Sequence, residues 1–187
     1  MIITVLGANG RTGVELVRQV IEAGHPVHAV VRRAESLPPR AGLEVFAGDV
    51  TDPAVVAKAP QGIDAIVSAL GSLKTPLTTP AVRAVIEASE STGVKRFVLR
   101  SAYVVLRDRL RPGLKLASRL NMKTAIEDKT AGESLLRSSD LDWTSAYVST
   151  LTDRPGTGRL REVSPARPAS HRPDRRVPAS RPSRWYS

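Results

Sequence analysis

Seven residues near the start of the chain, Gly7-Ala8-Asn9-Gly10-Arg11-Thr12-Gly13, restrict its folding more than any other segment. They follow a β-branched apolar run at residues 2–6. They precede a stretch in which Val14, Val17, Val20 and Ile21 share one helical face, while Glu15, Arg18, Gln19 and Glu22 share the other. Strand, glycine-rich turn and helix in that order predict the first unit of a dinucleotide-binding sheet. Gly7 permits the tight turn, Gly10 the approach of backbone to a pyrophosphate, and Gly13 close packing of helix on strand. The helix N-terminus offers N–H groups and partial positive charge to the phosphates, so Asn9, Arg11 and Thr12 join the three glycines as expected cofactor contacts. The bland alternative is a glycine-rich turn with no ligand.

The remainder of the chain repeats the alternation. Strands are expected at Pro26–Val31, Leu43–Phe46, Asp64–Ala69, Arg96–Leu99 and Trp143–Val148. The continuous apolar run at Asp64–Ala69 is typical of a strand buried on both faces. Thr79-Pro80 reads as N-cap and first turn of a helix reaching Gly93, and residues 123–139 form another. Strands alternating with helices imply an α/β fold, a Rossmann-like doubly wound parallel sheet with right-handed crossovers.

In such sheets ligands bind at the carboxyl ends of the strands. Gly48-Asp49-Val50 and Ser68-Ala69-Leu70-Gly71 fall there. Asp49 is positioned to meet the adenine amino group, with Val50 beside it, and Ala69, Leu70 and Gly71 let the adenine ribose approach. Either segment could equally be a plain turn. About 20 residues beyond the glycine motif, an NAD site carries an acidic residue for the ribose 2′-hydroxyl. This chain has Arg32 and Arg33 instead, a guanidinium pair suited to a 2′-phosphate. The expectation is NADP(H) before NAD(H). Glu35 nearby and a simple solvated loop argue the other way.

The 187 residues carry a net charge of +10, yet residues 154–187 hold nine Arg against one Asp and one Glu. The first 153 residues are therefore nearly balanced, and the basicity is not a nucleic-acid signal for the folded part. Residues 163–187 contain six Arg, five Pro and five Ser and no Leu, Ile, Phe or Met. Such a composition cannot bury enough apolar area to offset ordering entropy, which predicts a Rossmann domain at 1–162 and a disordered tail at 163–187. The Arg/Pro/Ser mixture is also what a GC-rich gene yields out of frame. A frameshifted or truncated C-terminus, leaving an uncovered face through which the protein forms a homodimer, is the corresponding expectation.

Cysteine is absent, excluding disulfides and thiolate sites, and no run of 18 apolar residues exists. The expected setting is cytoplasmic, with a small-molecule substrate and neither membrane nor specific nucleic acid as partner. His25, His28 and His171 form no metal set, and His28 reads as half-buried strand. Two Trp, two Phe and three Tyr are too few for an RNA-stacking surface.

With the glycine motif, Gly48-Asp49-Val50-Thr51-Asp52 and Leu136-Arg137-Ser138-Ser139-Asp140-Leu141-Asp142-Trp143-Thr144, the chain resembles the atypical short-chain dehydrogenase/reductases. More narrowly, it is similar to the NmrA-like and biliverdin/flavin reductase B-like NAD(P)H-binding proteins, from residue 1 to about 162. The resemblance implies a Rossmann fold, NADP(H), and either small-molecule reduction or redox sensing. It also implies Ser101 and Tyr103, at the end of the fifth strand, as catalytic candidates. The superfamily's Tyr-x-x-x-Lys dyad fails at Tyr103, which is followed four residues later by Arg107. Lys129 matches a lysine often seen in atypical members and has two readings: a contact to the nicotinamide ribose, or an i,i+4 pair with Glu133 on a wet helix face. Where relatives usually carry Arg-Pro, this chain has Tyr147-Val148.

The reading that follows is hydride transfer from NADPH to a small electron-poor acceptor, such as a flavin or quinone. Solvent can protonate such a delocalised product without a tyrosine base. The rival is a non-enzymatic NADP(H) sensor working through a protein partner. A nucleotide-sugar epimerase-like enzyme would require an intact dyad and a larger C-terminal domain.

Overall fold

The computed structural model describes residues 1–58, 62–102, 105, 122–148 and 151. Met1–Thr150 forms one compact unit; of the second, Leu151–Ser187, only Leu151 is described. The expected boundary after residue 162 and the expected disordered tail lie outside the described residues.

Six parallel strands, β1 (Ile3–Leu6), β2 (Val27–Val31), β3 (Leu43–Ala47), β4 (Ala65–Ser68), β5 (Arg96–Ala102) and β6 (Asp142–Val148), are ordered β3-β2-β1-β4-β5-β6. This is the doubly wound Rossmann order. The chain moves outward from β1 in one direction through β3, then returns to place β4 on the other side. Leu6 consequently pairs with both Val30 and Ser68. The crevice at that reversal is where such sheets receive ligands.

Side chains that alternate along a strand point to opposite faces, and both faces of the central β1 and β2 are buried. Val5, Val27, Ala29 and Val31 pack with Val17 and Val20 of α1 (Arg11–Glu22). Leu6, Val30, Ile66, Phe97 and Leu99 pack with three other helices: α2 (Pro53–Lys58), α3 (Thr78–Thr92) and α4 (Lys123–Arg137). Fully burying an aliphatic or aromatic side chain of this size stabilises by about 1.5–3 kcal/mol.

Four local features differ from the sequence reading. Val14, assigned to the buried face of α1, is 50% exposed; at that level it is Gly13 that packs against the backbone of Gly7 and Ala8 just after β1. The short α2, which sequence periodicity does not reveal, begins at Pro53 with Asp52 Oδ1 accepting the Ala54 N–H at 2.9 Å. The cap of α3 does not come from Thr79. The carboxylate of Asp128 on α4 accepts the N–H groups of Leu77, Thr78 and Thr79 at 2.7–2.9 Å, and Thr79 Oγ1 donates to the Asp128 carbonyl. His28 is more buried than expected, edge-on to Phe46 with ring centroids 5.6 Å apart.

Candidate functional site

The glycine loop has the shape its spacing predicts. Gly7 adopts φ +78°, and its carbonyl accepts the Gly10 N–H at 3.1 Å. A β-carbon at Gly13 would stand 2.1 Å from the Gly7 carbonyl oxygen, and one at Gly10 3.3 Å from the same atom. A side chain at Gly13 would therefore collide with the loop backbone, and one at Gly10 would crowd it, so glycine lets loop and helix start pack this closely. Gly10 caps α1 in extended conformation with no side-chain hydrogen bond, and the first turn carries no acidic residue. Arg11, Thr12 and Gly13 occupy that first turn, which suits an anion. These features fit a dinucleotide pyrophosphate.

The neighbouring loops converge on the same edge. Asn9 Nδ2 donates to Ser36 Oγ at 3.3 Å, and Ser36 Oγ donates to the Arg33 carbonyl at 2.6 Å, tying the glycine loop to the segment after β2. Arg32 and Arg33 are both exposed there. Beyond β3, Asp49 Oδ1 accepts the Thr51 N–H at 2.9 Å and its hydroxyl at 2.8 Å. Those bonds, with a smaller contribution from the Arg32 charge, hold the Asp49 carboxyl below its ordinary value. Val50 and Leu70 turn their side chains into the core, and Ala69 is buried beside them. A β-carbon at Gly7 would meet Leu70 Cδ2 at 2.8 Å, so Leu70 buttresses the glycine loop from beneath.

A cleft of about 230 Å³ opens beside β4 and β5, lined in part by Gly71, Arg100, Ala102, Ala125, Ile126 and Lys129. Lys129 is 6% exposed, and its Nζ donates to the Arg100 carbonyl at 3.1 Å. Burial, and then the nearby Arg100 charge, lower its pKa to about 8. The surface pairing expected with Glu133 is not what these residues do. Glu133 is 1% exposed and is occupied elsewhere, because α4 packs this face against the protein rather than water. It accepts Ser101 Oγ at 2.6 Å and the Tyr147 hydroxyl at 2.7 Å, with Arg137 Nη2 3.5 Å away.

Ser101 is fully buried with its hydroxyl committed to Glu133, and it is not among the residues lining the cleft. Tyr103 and Arg107 lie outside the described residues. Counting the dyad spacing back from Lys129 reaches Ala125, which lines the same cleft one helical turn earlier. A methyl group therefore stands at the position the spacing gives to a phenol. Arg100 and Glu133 escaped notice as contributors to this region because their placement depends on how α4 meets β5. The alternation along β5, with Phe97, Leu99 and Ser101 buried and Arg100 between them partly open, was the available signal.

A family model described as NAD(P)H-binding matches residues 7–177, running past the expected limit near residue 162. An NAD(P)H azoreductase from Xenophilus azovorans is 36% identical over 103 residues, 52% of this chain and 34% of that protein. The chain spans less than half the length of the curated relatives it matches. Among solved structures, the oxidoreductase ylbE from Lactococcus lactis superposes with a TM-score of 0.74 at 26% identity, covering 84% of this chain and 73% of that one. ChuY, an anaerobilin reductase from Escherichia coli O157:H7, gives 0.72 at 29% identity, covering 84% and 77%.

Proposed function

The chain belongs to the NAD(P)H-binding family, and from that premise we propose that it is an NADPH-dependent reductase of a small electron-poor acceptor such as a flavin or quinone. The observation that carries this reading is the open cleft beside β4 and β5, with buried Lys129 in its wall, in a parallel sheet whose β1 carries the glycine loop at its carboxyl end.

In this reading the Gly7–Gly13 loop and the start of α1 hold the pyrophosphate. Arg32 and Arg33 bind a 2′-phosphate, the feature that separates NADPH from NADH. Asp49 and the backbone of Val50, Ala69, Leu70 and Gly71 border the adenosine end. Lys129 orients the nicotinamide ribose by donating a hydrogen bond to it. When bound, the cofactor supplies a hydride from C4 of its nicotinamide. The protein supplies position and exclusion of water, and solvent protonates the delocalised product. The Ala125 methyl in the cleft wall leaves space for a flat acceptor where a tyrosine would stand.

NADPH oxidation measured against a panel of flavins and quinones tests the proposal, with cofactor affinity determined in parallel. Turnover of at least one acceptor supports the reductase. Tight NADPH binding with no turnover across the panel overturns it in favour of a sensor.

A further inference from the structure

We propose that the acceptor reduced in this cleft carries an anionic group, a carboxylate or phosphate, and that Arg100 is the residue that reads it. The inference rests on the reductase reading and adds the charge class of its substrate.

Arg100 projects from β5 into the cleft, and its Nη2 donates to the Leu70 carbonyl at 3.0 Å. Its Nε is buried without a hydrogen-bond partner. A guanidinium has five N–H donors in a fixed fork that matches carboxylate and phosphate oxygens. Gly71 makes this pose accessible: a β-carbon there would stand 2.3 Å from Arg100 Nη2.

No carboxylate among the described residues lies in ion-pair contact with Arg100 or Lys129, and no acidic side chain among them lines the cleft. The carboxylates near Lys129 along α4 have other partners: Glu127 pairs with Lys123, Asp128 with the N-terminus of α3, and Glu133 with Ser101 and Tyr147. The wall therefore holds two partly desolvated cations that repel each other. Burial lowers the proton affinity of both, and Arg100 further lowers that of Lys129; the charges of Asp128 and Glu133 offset this at Lys129 only in part. A ligand anion at the cleft wall relieves that repulsion and supplies acceptors to the guanidinium. With Lys129 on the ribose, Arg100 remains for the acceptor.

Two matched probe pairs test the proposal by binding alone, on full-length protein saturated with NADP⁺. One pair is FMN and riboflavin, sharing a ring and differing in the phosphate. The other is anthraquinone-2-carboxylate and its methyl ester. The expected result is a preference of about tenfold or more for the anion in at least one pair. Arg100→Met abolishes it, Arg100→Lys retains part of it, and NADP⁺ affinity stays within about twofold in both variants. The proposal is overturned by no anion preference in either pair, whether through equal binding or no binding. A preference that survives Arg100→Met overturns it as well. So does an Arg100→Met variant that weakens NADP⁺ as much as the probes, since Arg100 then serves the cofactor. Failure of the reductase reading appears separately, as absence of NADPH oxidation.

Discussion

The hydroxyl of Tyr147, on the last strand, donates to Glu133 Oε2 at 2.7 Å on the helix that also carries Lys129. Burial first, and the bond to this carboxylate second, raise the ionisation of Tyr147 above the ordinary tyrosine value. Tyr147 is therefore a proton donor held closed, not a phenolate base replacing the missing dyad. Ultraviolet absorbance titration of the wild type and of Tyr147→Phe is expected to show the same number of phenols ionising near pH 10. One more in the wild type would contradict this.

Cofactor choice is tested at Arg32 and Arg33, both exposed and linked through the Arg33 carbonyl and Ser36 to Asn9 of the glycine loop. Replacing both with alanine should weaken NADPH roughly ten- to a hundredfold while leaving NADH nearly unchanged. Direct titration with each cofactor checks it; an equal loss for both would place these arginines outside the 2′-phosphate site.

Lys129 links proton binding to stability. Its folded pKa of about 8 lies below the ordinary 10.5, so the unfolded chain holds this proton more tightly. Below pH 8 both forms are charged and the burial cost is fully present. As pH rises from 8 towards 10.5 the folded form loses the proton first, and stability gains up to about 3 kcal/mol from this group. Lys129→Met should remove that slope and unfold at higher urea than the wild type at pH 7. The same variant should raise the NADPH dissociation constant. Parallel denaturation curves for the two proteins across this range would show that the amine is not buried in solution.

Asp128 stabilises in the opposite pH sense. Burial raises its carboxyl pKa, but the N–H donors of Thr79, Leu77 and Thr78 outweigh this, leaving the folded value below 3.8. Its contribution is present above that pH and fades as pH falls through the folded value. Asp128→Ala should cost about 2–4 kcal/mol at neutral pH by exposing the start of α3, with Asp128→Asn losing less. Urea midpoints at pH 7 and pH 3 measure both effects.

Local features were readable from the sequence, and distant ones were not. The Gly7–Gly13 loop lies between its own strand and helix, so seven consecutive residues specify it. Short segments between helix and turn signals likewise marked all six strands, with apolar runs clearest at β1 and β4. The six residues of α2 are too few for periodicity to show. The α3 cap arrives from 49–51 residues away, so nothing in the local Thr79-Pro80 signal points to Asp128. Lys129 and Glu133 show the same limit in the site. An i,i+4 pair of opposite charges is written identically on a wet surface and a buried one, and only the packing of α4 against α3 and β5 distinguishes them.

Asp128 and Lys129 are successive residues, and successive side chains on an α-helix diverge by about 100° around its axis. One is pinned to the backbone of α3 while the other faces the cleft. The carboxylate thus works as a key in a slot, fixing the rotation of α4 and with it the bearing of the amine. A side chain outside the cleft sets the aim of one within it. The opening turn of α3 becomes the anvil against which the site is aligned.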